Sequence, residues 1–314
     1  MAELFPQIEP YEFGLLEVNN IHKIYWEKVG NSKGVPILVL HGGPGAGGNI
    51  SLRRFFDPSF YNIIIFDQRG SGRSTPSACI QNNTTQDLIE DIEKLRIFLK
   101  VDQWLVFGGS WGSSLSLAYS QEYPKNVISM ILRGIFLCRE KEIEWFLKGI
   151  RNIFPDYWNR FSSFLPNEER ENLLASYYKR LISEDSKINE AAAISWARYE
   201  ANCSTFMPNA SVSEEFLDTQ MALNLARIEA HYFINNLFLE EGQLLKNINS
   251  IKDIKGFIIQ GRYDAICPIE SAYSLANAWP KATLKIIEKA GHSSLEPNIQ
   301  KALIESTEQI KKIL

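Results

Sequence analysis

The sequence has little that would tie it to a membrane, to nucleic acid or to an oxidising compartment. Its longest unbroken apolar runs are four or five residues, Ile63 to Phe66 among them, against the roughly 20 residues that a helix needs to cross a bilayer. Lys and Arg number 33 against 37 Asp and Glu, for a net charge of -4, so no basic excess is available to neutralise phosphates and no nucleic-acid partner is expected. The opening MAELFPQIEPYEFG has no basic stretch running into an apolar one, so no secretory leader is expected. Cysteine is scarce. Cys79, Cys138, Cys203 and Cys267 lie far apart with no C-x-x-C pair, which fits neither a disulfide framework nor a zinc site and leaves a reducing cytoplasm as the expected setting.

What is present is a chain of 314 residues, 45% hydrophobic and 12% aromatic, long enough for one large domain with an insertion or for two domains. In the first third, short apolar runs bounded by turn residues recur. Leu15 to Val18 and Ile24 to Val29 flank Asn19-Asn20, where a hairpin turn using the positive φ that Asn tolerates is expected. Ile37 to Leu40, Ile63 to Phe66, Leu105 to Phe107 and Val127 to Leu132 read as strands buried on both faces of a parallel sheet. Between them, Thr84 to Lys100 places Leu88, Ile92, Leu95 and Leu99 at helical spacing behind a capping threonine. Residues 139 to 248 hold no convincing strand and many aromatics on helical stretches. Strand patterns resume at Phe257 to Ile259 and Leu284 to Ile287. The expected architecture is therefore α/β: a mostly parallel sheet flanked by helices, formed by 1–138 and 249–314, with an all-helical cap inserted at 139–248.

Gly108-Gly109-Ser110-Trp111-Gly112 follows one of these strands and precedes a helix-compatible stretch. That is the context of a G-x-S-x-G nucleophile elbow, in which a sharp strand-to-helix turn presents the serine hydroxyl above the sheet. A serine nucleophile needs a base, and the chain has four histidines. His22 is expected on a hairpin surface, His41 as a backbone-positioning residue and His231 as a packed cap residue. His292 follows the last strand, where a base belongs, and Asp264 follows the strand before it, in the chain order Ser, acid, His. Asp253 precedes that strand and would lie at its other end. Two N–H donors for an oxyanion are expected from the backbones of Trp111, next to the nucleophile, and Gly43, in the loop His41-Gly42-Gly43-Pro44-Gly45. A phosphate loop is a poor reading there because no Lys-Ser/Thr pair follows. Asp67 to Ser74 is expected to be a turn with internal ion pairs. No metal or cofactor is implied.

In the cap, Glu200 shares the apolar stripe of Trp196 and Cys203, and Glu229 that of Leu225, Tyr232 and Phe233. Buried carboxylates need a cation or a proton. Arg198 or Arg227 could supply the charge internally; otherwise it arrives with a substrate that has a free α-ammonium, which would make the protein an aminopeptidase.

The chain resembles the prolyl iminopeptidases, α/β-hydrolase-fold serine aminopeptidases, through HGGPG at 41–45, DQRGSGRS at 67–74, NNTT at 82–85, GGSWGS at 108–113, LRGIF at 132–136, ARIEAHYF at 226–233, GRYDAICP at 261–268 and AGHS at 290–293. The resemblance implies release of N-terminal proline from peptides, with Ser110, Asp264 and His292 as triad and Gly43 and Trp111 as oxyanion hole. It also implies Glu200 and Glu229 as holders of the substrate amine and Phe136, Phe146 and Phe233 as the pyrrolidine pocket. Tyr199 and Leu147 depart from the aromatic residues usual at their positions. The rival readings are an esterase or amidase without an amine requirement and a non-catalytic ligand-binding relative. Cys267, three residues past Asp264, is expected to make activity sensitive to bulky thiol reagents.

Overall fold

The computed structural model describes residues 3–207 and 218–314. Its strands are β1 (Glu12–Glu17), β2 (Lys23–Gly30), β3 (Val35–Leu40), β4 (Tyr61–Phe66), β5 (Trp104–Gly109), β6 (Val127–Arg133), β7 (Lys255–Gly261) and β8 (Ala282–Ile287). They form one sheet in the order β1-β2-β4-β3-β5-β6-β7-β8. The β1–β2 and β2–β4 pairs are antiparallel and all the others parallel.

Successive side chains of a strand point to opposite faces, and here both faces are apolar. Leu38, Leu40, Ile64, Phe66 and Val106 join one core cluster. Their neighbours Ile37, Val39, Ile63, Ile65 and Leu105 join another across the sheet. That double burial is why these strands read as continuous hydrophobic runs rather than alternating ones.

Helix α1 (Thr85–Phe98) begins at a capping box: the Thr84 hydroxyl accepts from the Asp87 N–H, and the Asp87 carboxylate accepts from the Thr84 N–H at 3.1 Å. It shares the first core with α2 (Trp111–Glu122). Between β6 and β7 come α3 (Glu140–Leu147), α4 (Pro155–Ser163), α5 (Leu173–Leu181), α6 (Ser186–Cys203), α7 (Thr219–Ile234) and α8 (Gln243–Lys246), with no strand among the described residues. Residues 208–217 of the expected cap lie outside the described residues. Both long cap helices start at an aspartate: Asp185 accepts from the Lys187 N–H and Asp218 from the Met221 N–H. Helices α9 (Ile269–Ala278) and α10 (Pro297–Lys311) complete the fold, α10 burying Ile299, Leu303 and Ile310 in the second core. Among the described residues no helix is long and apolar enough to cross a membrane.

Two expectations for the N-terminal hairpin are corrected. Asn19 does not use positive φ; its side-chain oxygen accepts from the N–H groups of Ile21 and His22, an Asx-type turn that lengthens the connection. His22 is fully buried, not on the surface, because its Nε2 reaches the Gln81 carbonyl at 2.7 Å.

Candidate active site

The carboxyl ends of five adjacent parallel strands deliver the candidate residues to one edge of the sheet, the usual place for a ligand in such folds. Strand β3 runs into His41 to Gly45, β5 into Ser110, β6 into Gly134 to Phe136, β7 into Asp264 and β8 into His292.

Ser110 sits between β5 and α2 with φ 58° and ψ -129°, a strained conformation for a residue with a side chain and the one a nucleophile elbow requires. The flanking glycines make the turn possible. A Cβ on Gly108 would collide with the Gly112 carbonyl oxygen, and one on Gly112 with that of Leu40. The HGGPG loop passes close by: a Cβ at Gly42 would lie 3.3 Å from Ser110 Cβ.

His292 Nδ1 lies 2.8 Å from Asp264 Oδ2. A carboxylate only accepts, so Nδ1 carries the proton and Nε2 keeps its lone pair. Asp264 is fixed in turn by the Cys267 N–H, 2.8 Å from Oδ1, and by the Gln260 amide, 3.1 Å from Oδ2. Ser110, Asp264 and His292 are all buried. Burial holds the imidazole below the ordinary histidine range, and the negative charge of Asp264 opposes that shift. The Cys267 thiol is pushed up by burial and by Asp264, which disfavours its reactive thiolate.

The two candidate oxyanion residues share a support that sequence reasoning missed. The Trp111 indole N–H donates to Gln68 Oε1 at 2.8 Å, and Gln68 Nε2 donates to the His41 carbonyl at 2.9 Å. The Gln68 backbone N–H donates to His41 Nε2 at 3.0 Å, so His41 carries its proton on Nδ1, which faces the Gly42 carbonyl at 2.9 Å. His41 thus positions its loop as expected. The rest of Asp67 to Ser74 is the expected ion-paired turn: Arg73 bonds Asp67 and Glu27, and Arg69 clasps Asp91 through two bonds. Arg133 was also missed. Its guanidinium covers Gly109, where a Cβ would come within 2.5 Å of Nη2, and its Nη1 donates to the His292 carbonyl at 2.7 Å.

The helices between β6 and β7 pack over these loops. Leu225 and Asn224 of α7 press on Gly43 and Gly45, and the Ser204 carbonyl at the end of α6 accepts the N–H groups of His292 and Ser293, both at 2.9 Å. Phe136, Phe146 and Phe233 meet, with Phe146–Phe233 and Phe136–Phe233 centroids 5.6 and 6.2 Å apart. Trp196 packs on Phe146 and Phe233, and its indole N–H donates to Glu229 Oε2 at 2.6 Å. Tyr199 stacks on Phe161 and donates to the Phe146 carbonyl at 2.7 Å, so this departure from the usual aromatic anchors one of the three phenylalanines. Leu147 is buried and lines a separate groove with Ile143 and Phe233.

Glu200 and Glu229 face each other within hydrogen-bonding range, and among the described residues no cation is paired with either. Arg227 turns away to the Leu181 carbonyl, and Arg198 lines a cleft with Tyr157, Arg160 and Asn202 that includes neither glutamate. Burial raises both carboxyls, Glu200 to about 7 and Glu229 well above its usual range. Among the described residues, Glu200 Oε2 is buried without a hydrogen-bond partner. A cavity of about 360 Å³ is lined by Ala46, Glu200, Ser204 and Leu225.

Comparison with known proteins gives the fold and the family. Residues 35–298 match the family model of the alpha/beta hydrolase fold. The chain is 49% identical to a proline iminopeptidase of Arabidopsis thaliana over 99% of its length and 83% of the relative's. It is 49% identical to a probable proline iminopeptidase of Leptolyngbya boryana over 98% and 97%, and 44% identical to one from Neisseria gonorrhoeae over 96% and 97%. Among solved structures, a proline iminopeptidase-related protein from Thermus thermophilus superposes with a TM-score of 0.61 at 20% identity, covering 96% and 97% of the two chains. A putative lipase from Acinetobacter baumannii reaches 0.64 at 18%, covering 96% and 90%, so at that distance the likeness is one of fold alone. Identity at the 44–49% level over nearly the whole length is of another order, and by it the chain belongs to the proline iminopeptidase family of the alpha/beta-hydrolase fold.

Proposed function

We infer that this protein is a serine exopeptidase that releases proline from peptides with a free N-terminal proline, through an acyl-enzyme. The observation that carries the reading is the buried carboxyl pair Glu200 and Glu229, which has no paired cation among the described residues and adjoins, through Trp196, the aromatic cluster of Phe136, Phe146 and Phe233. Two buried carboxyls without a countercharge are costly; a substrate ammonium supplies it, and the phenylalanines enclose the pyrrolidine ring beside it.

In this reading residues 139–248 act as the cap that recognises the amine, while the strand ends perform the chemistry. Ser110 Oγ attacks the prolyl carbonyl carbon, and its proton passes to His292 Nε2. Asp264 stabilises the imidazolium. The oxyanion is met by the N–H groups of Gly43 and Trp111. His292 then gives the proton to the leaving amine, and a water activated by the same imidazole hydrolyses the ester. Anchoring the ammonium in the cap brings the first carbonyl to Ser110, which is catalysis by orientation and limits cleavage to the first bond. The four free thiols support a reducing, cytoplasmic setting.

The test compares prolyl-aminomethylcoumarin with its N-acetyl derivative. Acetylation removes the charge the carboxyl pair would hold, and turnover of the acetylated compound is expected to vanish. Equal rates on both would replace this reading with an esterase or amidase that has no amine requirement.

A further inference from the structure

Three indoles satisfy their N–H on backbone carbonyls: half-buried Trp145 on Ala265, half-buried Trp158 on Leu147 and buried Trp279 on Ile254. Trp111 uses a neutral amide. Trp196 differs. It is fully buried, ringed by Phe146, Phe161, Tyr177 and Phe233 with centroids 5.4–6.2 Å away, and its single polar atom donates to Glu229 Oε2 at 2.6 Å. With that carboxyl ionised, as a bound ammonium favours, such a short, buried bond is among the stronger kinds. Because the ring is wedged on several sides, the direction of its N–H is set by packing alone.

We propose that Trp196 is a positioning residue for amine recognition: its indole N–H fixes one oxygen of Glu229 so that the remaining face of the carboxyl, together with Glu200, meets the substrate ammonium. The proposal rests on the functional reading above and goes beyond it by assigning orientation of the pair to an indole that is itself fully buried among aromatic rings. Glu229 lies one helix over from Trp196, on α7, while Glu200 is four residues along α6 from the same tryptophan. One side chain thereby couples the spacing of both carboxyls to the aromatic pocket, since Trp196 also packs on Phe146 and Phe233. The groups that act on Glu229 are Glu200, which disfavours a second negative charge, and Trp196, whose N–H favours it.

The experiment uses Trp196→Phe in the full chain, with a second variant carrying the benzothiophene isostere of tryptophan at 196, which keeps ring size and replaces the N–H by sulfur. Loss of a hydrogen bond to a charged group is expected to raise KM for prolyl-aminomethylcoumarin by about tenfold or more in both variants. Acylation by a small neutral ester should fall far less. The acid limb of the KM profile should move to higher pH, because the donor that favours ionised Glu229 is gone, and a purely structural role would not move it. An unchanged KM and an unmoved limb in the isostere, in an enzyme whose wild type requires a free amine, overturns the assignment of Trp196. A wild type that hydrolyses the acetylated substrate equally well overturns the functional reading instead.

Discussion

Gly134→Ala tests how tightly the base is held. Gly134 follows β6 with φ +56°, and a Cβ there would lie 2.9 Å from His292 Cε1, 3.0 Å from Nδ1 and 3.4 Å from Asp264 Oδ2. Ordinary contact begins near 3.4 Å, so something must shift by about half an ångström. Little can. The Gly134 N–H is bonded to the Ile259 carbonyl at 3.2 Å, and the imidazole is pinned by its 2.8 Å bond to an aspartate that is itself held by Cys267 and Gln260. The left-handed φ adds about 1–2 kcal/mol for a residue with a Cβ. That is a loss the protein should survive as a drop in Tm of a few degrees. The displaced ring is the larger effect: misplacing a reacting group by a fraction of an ångström to an ångström costs up to about a hundredfold in rate. The assay is kcat on prolyl-aminomethylcoumarin beside the rate of Ser110 labelling by a fluorophosphonate, with a thermal melt to show that the protein is folded. Both rates should fall together while KM changes little. A folded Gly134→Ala enzyme with kcat within roughly threefold of wild type would refute the claim that His292 is held rigidly against this turn.

Gln68→Leu removes the link between His41 and Trp111 and strands a buried indole N–H, so it should cost about 1–3 kcal/mol of stability and lower kcat more than it raises KM; an unaltered Tm in denaturation would exclude the support role. Because Glu200 is raised to about 7 and Glu229 well above its usual range, the folded protein binds protons that the unfolded chain releases above about pH 4.5. Their contribution to stability is therefore present at low pH and lost as pH rises through about 7, and Glu229→Gln should flatten the slope of Tm between about pH 5.5 and 8. The same ionisation predicts that KM rises as pH falls below about 7, while kcat, governed by an imidazole held below its ordinary range by burial, holds to lower pH. A KM profile flat across that window would contradict the pair's role.

Much of this was legible because it is local. The elbow is five consecutive residues recognised by their spacing between a strand and a helix, and the strands betray their double burial by unbroken apolar runs. The acid and base follow from chain order. Where the reading faltered, the cause was long-range contact. His22 is buried because Gln81, on a distant loop, reaches its ring. Gln68 was hidden among charged neighbours whose pairing explained the turn, and its bonds to His41 and Trp111 span two other strand ends. The arginine alternatives had a local answer that could have been used: Arg198 and Arg227 each precede a glutamate by two residues, and side chains two apart on a helix do not face each other. Arg227 accordingly bonds the Leu181 carbonyl.

The two long cap helices connect recognition to chemistry by the same segments that carry the carboxyls. Helix α6 bears Glu200 and, four residues later, ends at Ser204, whose carbonyl accepts the N–H groups of His292 and Ser293. Helix α7 bears Glu229 and, four and five residues earlier, lays Leu225 and Asn224 against Gly43 and Gly45. A shift of α6 that moved Glu200 would also pull on the loop of the base. A shift of α7 that moved Glu229 would press on the glycine loop that offers an oxyanion donor. In the proposed reading the amine site and the reacting atoms are therefore set by two helices rather than by independent loops, and a helix rising about 1.5 Å per residue fixes the separation of its carboxyl from its contact with the core. A substrate whose ammonium-to-carbonyl distance differs by one residue cannot meet both ends at once. Limiting cleavage to the first peptide bond follows from that fixed span, without any group that senses the length of the peptide.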